Sequence, residues 1–263
     1  QSQVSNVSAP TRPWRISALV PPIAGLDATD RFQKFESSVA LIQKFNNPHN
    51  QENIAKDLVD AIEVKTSTLA IMEATIARLP SGIDSFLELP HTEDPSDLIN
   101  QLASDPSGKD LFAKIRTGGT SVDLIPSPEE VARFIWNCAN SRVAFKATAG
   151  LHHPIRNDYR LTYDSDSKVA TMFGFLNVFY AAMMCWEHAI GIDELTEILA
   201  TKDPTRFKVN KEEISWGDLK VKANRVNKLR SQSIISFGSC SFLEPTNELQ
   251  NIPGQSHESL FPT

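Results

Sequence analysis

Three stretches of this chain carry reactive groups where a buried sheet would normally stay apolar. Phe86-Leu87-Glu88-Leu89-Pro90 offers a carboxylate, and Leu111 to Gly119 offers Lys114 and Arg116 ahead of a Gly118-Gly119 turn. Val143 to Pro154 offers Lys146 and Thr148, followed by His152 and His153, with Arg156 just beyond. Alternation along an extended chain sets Lys114 and Arg116 on one face and Ala113 and Ile115 on the other; Lys146 and Thr148 likewise oppose Phe145 and Ala147. An unpaired buried ammonium is costly, so cations aimed inward require either a partner or a ligand. Glu88 and one of the two adjacent histidines can move protons. Lys114, Arg116 and the glycine turn suit a phosphate or carboxylate. Lys146 is the sharpest single candidate: either a desolvated amine that attacks a carbonyl to form an imine, or a fixed charge that holds an anion.

Further polar groups fall in with these. Asn177 sits in an otherwise apolar helix and is read as reaching the same site or as a buried amide tied to backbone. Ser239 and Ser241 end the last strand-like run, around Cys240. Cys240 reads as a small core filler in preference to a thiol nucleophile working with His152 or His153. Cys185 and His188 are spaced one helical turn apart, too little for a zinc set, and no metal ligands or cofactor are assigned.

Positioning these groups requires strands that alternate with helices. Strand-like runs are Trp14 to Pro22, Ser85 to Leu89, Leu111 to Thr117, Val143 to Ala149 and Ser233 to Ser241. Helical spacing covers Thr29 to Phe45, Glu52 to Leu79 (with β-branched residues at Val64 to Thr68 that could hide a short strand), Asp94 to Ser104 and Ser127 to Ser141. It returns over Ser167 to His188, Ile192 to Thr201 and Leu219 to Leu229. Ser127, Pro128 and Glu129-Glu130 form a strong helix start. Phe207 to Gly217 reads as a small strand-containing excursion. This rhythm predicts an α/β fold with parallel strands, either an irregular or incomplete (β/α)8 barrel of the TIM type or an open parallel sheet. In both, functional groups collect at the C-terminal strand ends. Residues 14–243 are expected to form one domain, with 1–13 a flexible lead-in and 244–263 a tail.

Bulk properties narrow the partners. The chain has 263 residues, 41% hydrophobic and 22% charged, enough for a single large α/β domain. A net charge of −6 argues against nucleic acid, whose affinity rests on neutralising phosphates. Val169 to Trp186 is greasy but interrupted by Gly174 and Asn177, a buried helix and not a membrane span. Three cysteines without framework spacing predict free thiols and a cytoplasmic setting. The partner expected is a small anionic metabolite, with homo-oligomerisation left open.

Two resemblances follow from the quoted motifs. Lys146-Ala147-Thr148-Ala149-Gly150 resembles the lysine strand of deoxyribose-phosphate aldolases, which implies a Schiff-base role for Lys146. The set Lys114 to Gly119, Phe145 to Pro154, Phe173 to Val178 and Phe237 to Phe242 resembles a family of uncharacterised, mostly bacterial proteins, over roughly the C-terminal 150 residues. That resemblance implies a shared site without an activity. Lys114-x-Arg116 is also similar to the Lys-x-Lys/Arg strand of enolase-superfamily barrels, whose run of metal-binding carboxylates this chain does not display. The expectation is an enzyme of lyase or isomerase type; the alternatives are an anion-binding module and a scaffold of paired charges.

Overall fold

The computed structural model describes residues 15–21, 28–47, 58–241 and 243–252. The 1–13 lead-in lies outside them. Six strands form one parallel sheet: β1 (Arg15–Leu19), β2 (Leu58–Lys65), β3 (Asp84–Glu88), β4 (Leu111–Arg116), β5 (Phe145–Thr148) and β11 (Ile234–Phe237), side by side in that order. Each neighbouring pair is parallel. The order never reverses, so the described strands contain no switch point of the doubly wound kind. Right-handed crossovers that always advance in one direction put their helices on the same face, and the other face curls inward. The result is an α/β half-barrel flanked by helices.

The connecting helices are α1 (Ala28–Asn46), α2 (Leu69–Arg78), α3 (Ser96–Ser104) and α4 (Pro128–Asn140). Between β5 and β11 the chain makes its long excursion. It forms a ribbon of β6 (Asn157–Arg160) and β7 (Val169–Met172), then α5 (Phe175–His188) and α6 (Ile192–Ala200). A small antiparallel sheet follows, of β8 (Phe207–Val209), β9 (Glu213–Trp216) and β10 (Leu219–Lys222), and then α7 (Ala223–Gln232). Helix α8 (Leu243–Gln250) comes after β11.

The helix-facing side of the sheet is closely packed. Ile62, Val64, Leu87, Ala113, Ile115, Phe145 and Ala147 are all buried there, with Phe145 edge-on to Phe134 of α4. Helix α4 begins with the expected capping box: Ser127 Oγ accepts from the Glu130 N–H, and Glu130 accepts from the Ser127 N–H.

Four expectations change. Residues 58–65, read as part of a helix over Glu52 to Leu79, are strand β2; burial on both faces removes the polar–apolar alternation that would have marked it as a strand. The helix expected from Ser167 starts only at Phe175, because 169–172 pair with β6. The basic helix expected from Leu219 starts at Ala223, after β10. The stretch read as a tail opens with α8.

Candidate active site

The inner face of the half-barrel carries a row of ionised groups set by register. Glu88 stands beside Lys114, Lys114 beside Lys146, and Lys146 beside Ser236. Below this row Phe86 stacks on Phe112 at 5.1 Å. Above it Arg116 stands beside Thr148 at the C-terminal strand ends.

The row is internally paired. Lys114 Nζ lies 2.8 Å from Glu63 Oε2 and 2.8 Å from Glu88 Oε2. Lys146 Nζ lies 2.5 Å from Glu63 Oε1, and Ser17 Oγ donates to the same oxygen at 2.6 Å. Phe86 contributes its ring face 5.3 Å from Lys146 Nζ. Glu63, Glu88 and Lys114 are buried, and Lys146 nearly so. Burial alone pushes the Glu63 carboxyl up, but hydrogen bonds from Lys114, Lys146 and Ser17 outweigh it and hold it at about 2. Sequence reasoning missed Glu63 because its segment was taken for a helix; the available signal was one acid inside Ala61-Ile62-Glu63-Val64.

Lys114, expected to hold a guest anion, is therefore flanked by two carboxylates of the protein itself. Glu88, expected to move protons, accepts from Lys114. Arg116 differs: among the described residues its guanidinium makes no hydrogen bond or ion pair, and the buried Thr148 hydroxyl beside it has no partner either. Buried polar groups are nearly always satisfied, so the Thr148 hydroxyl is an exception on this face.

The glycines have packing tasks. A Cβ on Gly118 would sit 3.1 Å from the Gly150 Cα, and one on Gly119 would meet the Leu124 side chain at 2.5 Å. Thr117 ties the same turns together, its N–H donating to Thr148 O and its Oγ1 to Ala149 O. Close approach of two backbones accounts for Gly118 without a phosphate. Asn177 is likewise a bracket and not a ligand for substrate. Its Oδ1 accepts from the Arg156 N–H, and its Nδ2 donates to Ile198 O and Thr201 O. The N-terminus of α5 is satisfied by the chain before it, Phe175 and Leu176 donating to His153 O and Pro154 O. The Arg156 guanidinium lies over Phe173, with a buried Nη1 lacking a partner and burial lowering its proton affinity.

Adjacent side chains on extended chain are expected to point apart, yet both histidines line one cavity, their ring centroids 6.4 Å apart and their planes nearly perpendicular. His152 Nδ1 is 3.1 Å from Ser239 Oγ and 3.9 Å from Glu244 Oε2. Burial keeps His152 below the usual histidine range, with Glu244 opposing and His153 reinforcing the shift, which favours the neutral imidazole. Gly238 packs against the methyl side of Thr148, where a Cβ would meet Cγ2 at 3.3 Å. Ser241 Oγ instead accepts from the Glu244 N–H and starts α8. Cys240 is exposed and not a core filler; its sulfur is 3.5 Å from both ring nitrogens of His152, off the axis of either lone pair. A cavity of about 340 Å3 opens here, walled by His152, His153, Tyr159, Tyr163, Cys240 and Glu244. Cys185 and His188 point apart, to Ile190 O and Lys220 O.

Neither family models, nor curated proteins, nor solved structures match this chain. Among the described residues no helix is long and apolar enough to cross a membrane.

Proposed function

We propose that this chain is an enzyme for a small phosphorylated or carboxylated metabolite, of isomerase or lyase type, that works by proton transfer next to a fixed array of charge. The observation that carries the reading is the Arg116 guanidinium, unpartnered among the described residues, at the register position beside the orphaned Thr148 hydroxyl and one layer above the ion-paired Lys146. Arg116 and Thr148 anchor the anionic group. Lys146 supplies positive charge to an enolate-like oxygen. His152, neutral and held by Ser239, takes the proton. Glu63, a carboxylate held at about 2, is a poor acceptor for a proton from Lys146. That favours Lys146 as a fixed charge over the imine that its aldolase-like strand implies.

Melting curves with a panel of sugar phosphates and small carboxylates test this. At least one compound raises the melting temperature of the parent protein, and Arg116→Ala abolishes the rise while melting normally without ligand. Borohydride reduction with the stabilising compound leaves the intact mass unchanged; an adduct on Lys146 would move the mechanism to imine chemistry. A second reading, a structural plug, is favoured by the pairing of both lysines. It is adopted if no compound in the panel stabilises the protein, or if Arg116→Ala leaves the stabilisation intact.

A further inference from the structure

Beyond the inner-face site, we propose that His153, Glu244 and Glu248 form a binding site for a divalent transition-metal ion of the zinc class. One ligand atom from each of the three lies within 4.8 Å of the others. Helix α8 presents Glu244 and Glu248 one turn apart on the same face, where two carboxylates repel unless a cation or a donor lies between them. His153 is that neighbour: its Nδ1 is 2.9 Å from both oxygens of Glu248.

The surroundings hold these groups as outer partners hold metal ligands. The His153 ring stacks on Tyr159 at 3.5 Å with planes 10° apart, which fixes its direction. Tyr159 is itself pinned by donating its hydroxyl to Ile155 O. The Tyr163 hydroxyl donates to Glu244 Oε2 at 2.9 Å, and that bond, together with burial, pushes the phenol up to about 12. His152 Nδ1 lies 3.9 Å from the same Glu244 oxygen. Oriented carboxylates and a locked imidazole are what a metal site needs beyond its first ligands.

The donor set decides the class of ion. One imidazole with two carboxylates suits zinc or a neighbouring transition metal; calcium and magnesium prefer oxygen alone. Three protein ligands leave a position for water or a guest, and His153 and Glu244 line the cavity of about 340 Å3.

Calorimetric titration of the chelator-treated full chain with zinc sulfate tests this. The expected result is saturable binding of one equivalent of zinc. Glu248→Gln and His153→Ala each weaken binding about a hundredfold or more, and Tyr163→Phe, which touches only the outer hydrogen bond, weakens it about tenfold. Thermal melting shows whether each variant is folded, and Cys240→Ser leaves the affinity unchanged. Absence of saturable binding at micromolar zinc overturns the proposal. So does an affinity that survives Glu248→Gln and His153→Ala together but falls with Cys240→Ser.

Discussion

Replacing Glu63 by glutamine removes the hub of the inner-face array while keeping its volume. Three donors converge on this carboxylate, from Ser17, Lys114 and Lys146. Glutamine offers one acceptor oxygen and no charge, so Lys146 loses its carboxylate partner among the described residues and Lys114 keeps only Glu88. Lowering of the carboxyl from its ordinary 4.5 to about 2 corresponds to roughly 3 kcal/mol of folding free energy. Breaking a buried pair by removing one partner costs about 3–5 kcal/mol, which agrees. The folded-state value lies below the unfolded one, so this stability is fully present above pH 4.5 and is lost as pH falls toward 2. In that window the parent protein loses at most about 1.4 kcal/mol per pH unit through this group. Urea unfolding of both proteins from pH 7 to pH 3 measures the effect. Glu63→Gln is less stable by roughly 3 kcal/mol at pH 7, and the gap narrows toward pH 3. A difference below about 0.5 kcal/mol at pH 7, or a gap that does not change with pH, refutes the assignment of Glu63 as the array's hub.

Two further outcomes test the scaffold around the site. Gly174→Ala drives a Cβ to 2.4 Å from both the Ile155 Cα and the Pro154 carbonyl oxygen, so it destabilises by about 3 kcal/mol or more in urea unfolding, whereas Gly191→Ala, with nothing within 4 Å, changes stability by less than about 1 kcal/mol. Cysteine labelling of the native protein modifies Cys240 quickly and leaves Cys138 and Cys185 unmodified until denaturant is added, since both are buried and burial pushes their thiols up, Cys185 to about 12; equal rates for all three would contradict this packing.

What could be read in advance follows from the physics of each element. Helix α4 was legible because its start depends on local chemistry, Ser127, Pro128 and Glu130 acting on their own backbone. The strands carrying Glu88, Lys114 and Lys146 were legible because charges on an apolar strand break its pattern. Strand β2 was not, since burial on both faces erases the alternation, and Glu63 vanished with it. The partnership between His153 and Glu248 was invisible for a different reason. It joins residues 95 positions apart through a short polar helix with no strong periodicity. The glycine turns misled because a phosphate loop and a close backbone crossing demand the same residue.

Under the proposed reading, register puts the guest one layer above the lysines. An incoming carboxylate or phosphate that bound Lys114 or Lys146 would have to displace Glu63 or Glu88, exchanging one charge-assisted contact for another. It would also leave a buried carboxylate unpaired, which costs more than the new contact returns. At Arg116 no such exchange is needed, because the described residues give its guanidinium no bond to break. A hydrogen bond to a charged group contributes about 1.5–3 kcal/mol, and satisfying the orphaned Thr148 hydroxyl adds to it. Under the proposed reading the paired array is then a charged floor that stays fixed while a guest enters. Such a floor stabilises negative charge only where it develops close above Lys146, the condition for lowering a barrier without merely tightening substrate binding.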